Sequence, residues 1–207
     1  MSAQKIKPNP KKAELRKTVD EILAKITPED IEKQSKIIVS KILKHDKYKS
    51  AKRIALFLSL PNEVKTDPIL EDILRRGDKP FIPQYSKGKM RMLRVMPGDM
   101  DIMVPTSWGI KQHAAGEDRE DALDDGGLDL VIAPGAAFTK EGWRCGHGGG
   151  YYDRYLGNLL KQHQNSPKTF RKPYILAIGF WQQIFEEIPV DPQDIQVNEV
   201  VTGEDVI

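Results

Sequence analysis

The sequence predicts an α/β domain built on a largely parallel sheet, and three observations carry that expectation. Short apolar runs of strand length alternate with amphipathic stretches of helical period. Two of the runs, Ile54–Leu58 and Leu128–Ala133, are nearly continuous, as in strands covered on both faces. A glycine-rich stretch, Gly146 to Gly150, lies between strand and helix signals, where such folds bring backbone up to a ligand.

Each element has its own local reason. Asn9-Pro10 is a helix start, because Asn caps and Pro suits the first helical position. Leu15, Val19, Ile22, Leu23 and Ile26 then recur on one helical face. Thr27-Pro28-Glu29-Asp30 starts a second helix, which should run to about His45. The period then changes, and Arg53 to Ser59 reads as a buried strand. Asp67-Pro68 opens a helix that Gly77 closes after Arg75 and Arg76, cations suited to a helix C-terminus. Pro80 to Tyr85 and Met90 to Val95 read as strands, and Leu128 to Ala133 as a further buried one. Tyr151 to about His163 has its inner face in Tyr152, Tyr155, Leu156, Leu159 and Leu160, and Tyr174 to Phe180 reads as another strand. Gln112 to Gly127 and Gln164 to Lys172 are polar and read as surface connections. The expected organisation is a basic tail over residues 1–10 and one domain over 11–207.

Composition bounds the function. Across 207 residues, 32 Lys and Arg face 30 Asp and Glu, so anion binding must come from local placement rather than from a basic stripe. A nucleic-acid partner is not expected. Cys145 is the only cysteine, which excludes an intrachain disulfide and suits a reducing compartment, so the expected location is cytoplasmic. No apolar run approaches the ~20 residues that cross a bilayer.

The stretch Arg144-Cys145-Gly146-His147-Gly148-Gly149-Gly150-Tyr151-Tyr152-Asp153 concentrates the chemistry. Four glycines in five positions are costly in backbone entropy, and a chain accepts that where it turns sharply or approaches a ligand closely. Unobstructed N–H groups at a helix N-terminus form an anion cradle, which the helix dipole reinforces. Arg144 can add a forked contact to a phosphate, and Asp153 stands where a phosphate-borne magnesium ion would meet it. Neither the dinucleotide fingerprint nor the P-loop pattern is present. A glycine-rich loop with an ordinary helix-start acid is the plain alternative.

This segment resembles the signature of the 5-formyltetrahydrofolate cyclo-ligases, approximately R-x-G-x-G-x-G-Y-Y-D. The run Leu128 to Gly135 with Phe138 resembles that family's approach to the motif, and the likeness extends from Lys12 to Glu199. It implies a fold like that of the sugar-phosphate isomerases and CoA transferases. It also implies ATP- and Mg2+-dependent cyclisation of 5-formyltetrahydrofolate, with or without a longer glutamyl chain, to 5,10-methenyltetrahydrofolate, ADP and phosphate. The expected enzyme is a monomer. By position, Lys12, Arg16, Arg144, Gly146, His147, Gly148, Gly149, Gly150, Tyr151 and Tyr152 match ATP-contacting residues. Leu58, Glu63, Trp108, His147, Gly148 and Tyr151 match folate contacts, and Asp153 and Asp194 match magnesium positions. Arg144 and Tyr151 are the residues implied in catalysis.

The sequence departs from the family pattern at His147, Gly149, Thr139, Asn198 and Gln112-His113. These departures spare Arg144, Tyr151, Tyr152 and Asp153, so affinity and pH dependence are affected before reaction type. A sugar-phosphate isomerase or acyl-CoA transferase is the rival enzyme reading, but its catalytic base or glutamate motif is missing. A folate- or nucleotide-binding protein without catalysis is the rival from another class. Cys145 reads as a buried bystander, because no His-Asp arrangement would activate it. His45, His113 and His163 lack metal-ligand spacing.

Overall fold

A computed structural model describes residues 9–106 and 109–204. Trp108 and the first eight residues of the expected tail lie outside the described residues. Asn9 caps and Pro10 opens the first helix, as their residue types predicted, so the helix begins just inside the expected tail.

Along the chain come α1 (Pro10–Leu23), α2 (Pro28–Lys44), α3 (Asp46–Ser50), β1 (Arg53–Leu56) and α4 (Asp67–Arg75). The hairpin of β2 (Lys79–Ser86) and β3 (Lys89–Arg94) follows, then α5 (Asp99–Ile102) and β4 (Leu130–Ala133). A small hairpin, β5 (Ala137–Phe138) with β6 (Arg144–Cys145), precedes α6 (Tyr151–Asn165), β7 (Tyr174–Gly179), a 3-10 turn at Trp181–Gln183 and β8 (Glu199–Thr202). Both predicted caps form: the Asn9 side chain accepts from the Lys11 N–H, and Thr27 Oγ1 accepts from the Asp30 N–H at 3.1 Å.

The main sheet has the order β3-β2-β1-β4-β7-β8, and every neighbouring pair is parallel except β2 with β3. Side chains alternate across it with period two. Ile54, Leu56, Leu130, Ile132, Leu176 and Ile178 pack against α2 and α4 through Ile38, Ile42, Ile69 and Ile73. Ala55, Val131, Ala133, Ile175 and Ala177 pack against α6 through Tyr152, Tyr155, Leu156 and Leu159. Burial of such side chains is worth roughly 1.5–3 kcal/mol each. That packing anchors α6, whose N-cap residue Gly150 supplies no side-chain cap.

Two expectations need correction, and one strand was not foreseen. The first strand ends at Leu56 rather than Ser59, because the Phe57 carbonyl is taken by Thr66 Oγ1 at 2.7 Å and the backbone leaves the ladder. Residues 112–127 are not all surface. The Glu120 carbonyl accepts from the Arg94 N–H and the Ala122 N–H donates to Met92, so this stretch covers the outer edge of β3. Arg53, buried over Phe81, holds the same stretch through Glu120. The strand β8, too short for its alternation to show in the sequence, completes the sheet. Two departures from the family pattern serve local structure here: Asn198 Oδ1 accepts from the Ile175 N–H, and Thr139 Oγ1 accepts from the Trp143 N–H.

From β1 the sheet grows to β2 on one side and, through β4, to β7 and β8 on the other. A crevice therefore opens at the carboxyl ends of β1 and β4, where open α/β sheets take ligands.

Candidate active site

That crevice is a cavity of about 500 Å³. Phe57 and Leu58 line it from the end of β1, Pro134 from the end of β4, and Pro83 and Tyr85 from β2. The glycine loop and the first residues of α6 close the other side. A wider, open groove of about 1140 Å³ runs between α2 and β8, but it has no glycine cradle, and its Lys41 is already tied to the Thr202 and Glu204 carbonyls. The smaller cavity is the one with convergent chemistry.

The β5–β6 hairpin delivers Arg144 to the cavity with its side chain 1% exposed. Arg144 Nη2 donates to Asp153 Oδ1 at 2.8 Å, and Nη1 donates to the Pro134 carbonyl at 3.2 Å. Its Nε is buried with no partner among the described residues. The backbone then turns through Gly148 at φ +107° and Gly150 at φ +62°, conformations that side chains resist. At Gly148 a Cβ would point toward the Arg16 guanidinium, 3.7 Å away.

Helix α1 crosses the outside of this loop. Arg16 Nε donates to the Gly146 carbonyl at 2.7 Å. Lys12, 7% exposed, sits between Asp191 at 2.8 Å and Asp194, to which it bonds closely. Burial opposes its charge, but the hydrogen bonds it donates to Asp191 and Asp194, with their negative charge, outweigh that and raise its pKa. Asp194 also accepts from the Asp191 N–H at 2.8 Å. The next residue, Ile195, donates its N–H to Asp153 Oδ1 at 3.3 Å, so the two acids matched to magnesium positions stand at adjoining points. Both recorded contacts of Asp153 fall on one oxygen, which leaves its carboxylate suited to a hard cation. Among the described residues no group of three His, Cys, Asp or Glu side chains converges as a metal cage. The arrangement fits magnesium held by one or two carboxylates together with phosphate oxygens.

Glu63 and Leu58 lie at the β1 end of the cavity. Glu63 Oε2 accepts from the Leu60 N–H at 2.8 Å, while Oε1 stands 3.9 Å from His147 Nε2. Burial pushes the Glu63 carboxyl up, and the Leu60 N–H, His147 and Lys65 offset only part of that. Tyr151 and Tyr85 meet edge to face with ring centroids 5.0 Å apart. Burial, with the charge of Glu63 adding to it, also raises the Tyr85 hydroxyl pKa. Tyr152, matched to an ATP contact, lines the same cavity while its ring belongs to the α6 core, and its hydroxyl has no hydrogen-bond partner among the described residues. Cys145 is fully buried and its thiol pKa is raised, first by that burial, as expected of a bystander.

The structure thus gathers every described residue singled out from the sequence around one crevice and its α1 wall. Sequence reasoning missed Tyr85, Pro83, Phe57 and Ile110 as lining residues. Tyr85 carried a usable signal: it ends a strand that points at the ligand edge of the sheet.

The family model described as the 5-formyltetrahydrofolate cyclo-ligase family matches residues 8–203. The chain belongs to this family. A 5-formyltetrahydrofolate cyclo-ligase of Mus musculus is 40% identical over 196 residues, which span 93% of this chain and 94% of that one. A probable 5-formyltetrahydrofolate cyclo-ligase of Caenorhabditis elegans is 35% identical over 95% of both chains. The NMR structure of Aquifex aeolicus 5,10-methenyltetrahydrofolate synthetase superposes with a TM-score of 0.74 at 28% identity, covering 94% of this chain and 90% of that one. These cyclo-ligase relatives match over nearly their whole length, so the sheet and both walls of the crevice lie inside the shared region. No helix among the described residues is long and apolar enough to cross a membrane.

Proposed function

We propose that this chain closes the ring of 5-formyltetrahydrofolate to give 5,10-methenyltetrahydrofolate, with ATP converted to ADP and phosphate. The observation that carries the reading is the glycine loop at the N-terminus of α6, flanked by Arg144, Arg16 and Lys12 and opening on the cavity that holds Glu63. A phosphate cradle then stands beside a pocket lined by apolar and aromatic side chains and by the Glu63 carboxylate.

The formamide oxygen of the substrate is a poor leaving group. Transfer of the γ-phosphoryl group to that oxygen makes it a good one, and the neighbouring side-chain nitrogen then attacks the formyl carbon as phosphate departs. The protein must align the two partners and neutralise charge, and no side chain need become a covalent nucleophile. The amides of Gly148, Gly149 and Gly150, with Arg144 and Arg16, receive the phosphates. Lys12 exchanges part of its pairing with Asp191 and Asp194 for a phosphate. Asp153, with Asp194 beside it, holds magnesium, which supplies charge neutralisation on the phosphates when bound. Glu63 accepts paired hydrogen bonds from the amino and ring N–H groups of the pterin. Leu58 packs against the ring, Trp108 stacks on it, and Tyr151 orients the formyl group. His147 touches both ligands' sides of the loop, and Tyr152 fixes the loop from below.

The substrate carries one glutamate or a longer glutamyl chain, and the working form is a cytosolic monomer with a single domain that begins at the first helix. Purified protein mixed with 5-formyltetrahydrofolate, ATP and magnesium should generate the near-ultraviolet absorbance of a methenyl-folate. Absence of that signal, with folded protein and both substrates present, refutes the reading.

A further inference from the structure

Three exposed cations next to the cavity-lining Tyr85 and Tyr151 have no part in the mechanism above: Lys87, Lys89 and Arg154. Lys87 and Lys89 flank the β2–β3 turn, two and four residues beyond Tyr85, and Lys89 pairs across the hairpin with Ser86. Strand β2 runs toward the ligand edge of the sheet, so the turn extends past the cavity on the Tyr85 side. Arg154 reaches the same place from the opposite wall. Its guanidinium lies over the Tyr151 ring, 5.1 Å from the centroid, and that ring meets Tyr85. Two cavity-lining rings therefore touch here, with Arg154 over one and the lysine-bearing turn directly following the other.

Two facts argue against an ordinary solvated surface. Among the described residues none of the three has a carboxylate within ion-pair distance, although many Lys and Arg side chains elsewhere do, including the adjacent Arg91 and Arg94. Arg154 also sits in the first turn of α6, where the helix dipole disfavours a cation. Stacking on Tyr151 holds it there. An unpaired positive rim in that position is suited to an anionic ligand.

We infer that Lys87, Lys89 and Arg154 form a carboxylate-binding rim that takes the glutamyl end of the folate. This rests on the cyclo-ligase reading and deepens it. The pterin end needs the buried Glu63, whose side chain is 18% exposed, so the substrate enters ring first. Its benzoyl ring then lies along the Tyr85–Tyr151 pair, and its glutamate, which carries two carboxylates, emerges at the rim. Each exposed cation–carboxylate contact is modest, so the three together set folate affinity and not the rate of the chemical step.

The test compares two substrates, 5-formyltetrahydrofolate and 5-formyltetrahydropteroate, which lacks the glutamate. The wild type and the Lys87→Gln/Lys89→Gln/Arg154→Gln variant are assayed with each. The variant's KM for the folate should rise roughly five- to tenfold, the scale of two or three surface ion pairs, with kcat retained. Its KM for the pteroate and for ATP should not move, and Arg154→Lys should recover part of the loss. Raising the salt from 50 to 500 mM (about a threefold cut in screening length) should shrink the wild type's advantage for the glutamate-bearing substrate. Equal loss with both substrates would overturn the rim, as would a rise in KM for ATP, which would assign the cations to nucleotide phosphate. Absence of turnover by the wild type would instead defeat the cyclo-ligase reading itself, and the rim with it.

Discussion

Replacing Asp153 by Asn separates its ion pair with Arg144 from its proposed role at magnesium. Asp153 Oδ1 accepts from the buried Arg144 guanidinium at 2.8 Å and from the Ile195 N–H at 3.3 Å. Asn keeps an oxygen there but loses the charge. A hydrogen bond to a charged group contributes roughly 1.5–3 kcal/mol and a neutral one about 0.5–1.5, so the substitution should cost about 1–2 kcal/mol. For a chain of this size that lowers the Tm by roughly 2–8 °C. Asp153→Ala removes the acceptor as well and strands Arg144, so its cost should reach about 3–5 kcal/mol. Denaturant unfolding of both variants, with Arg144→Gln to close a double-mutant cycle, measures the ion pair. Calorimetry of ATP with and without magnesium measures the metal role. In wild type the presence of magnesium should tighten ATP, and in Asp153→Asn that advantage should vanish. Equal stabilities for the Asn, Ala and wild-type proteins would refute the ion-pair argument. An unchanged magnesium advantage would move the metal off Asp153.

Further expectations follow from single sites. Glu63→Gln should weaken folate binding by roughly 1.5–3 kcal/mol and leave ATP binding nearly unchanged, as read by calorimetry. Because burial raises the Glu63 pKa and the pterin needs its ionised form, folate affinity should begin to fall at a higher pH than an exposed glutamate allows. Toward acid it should then drop about tenfold per pH unit, and Glu63→Gln should flatten that profile. Affinity independent of pH through the carboxylate range would exclude Glu63 from the contact. Gly148→Val places a β-branched residue at φ +107° and fills the approach to the amides, so nucleotide binding should be lost. A folded variant that binds ATP normally would disprove the cradle.

Much of this was legible in the sequence for reasons that particular residues make plain. The caps at Asn9 and Thr27 are short-range chemistry, and the apolar runs at Ile54 and Leu130 report burial on both faces. The glycine loop was visible because the left-handed turns at Gly148 and Gly150 demand glycine, and four of the five positions from Gly146 to Gly150 carry it. What stayed hidden depends on distant partners. Lys12 reads as one more lysine on a basic helix until Asp191 and Asp194, nearly the whole chain away, surround it. Tyr85 reads as an ordinary strand residue until α6 brings Tyr151 against it. β8 has too few residues for a period, and its strand character comes from the register that β7 imposes. The cover over β3 is likewise a tertiary feature, held by Arg53 and Glu120 across a polar segment that looks like free loop.

The central claim is that ATP activates the formyl oxygen and that this oxygen leaves as phosphate. Its most direct test uses 5-formyltetrahydrofolate labelled with oxygen-18 in the formyl group, with unlabelled ATP and magnesium in ordinary water. The account predicts that the phosphate released carries one oxygen-18 for each methenyl-folate formed, as read by mass spectrometry. Unlabelled phosphate accompanying methenyl-folate would contradict it, because the nucleotide would then be hydrolysed without touching the oxygen that departs.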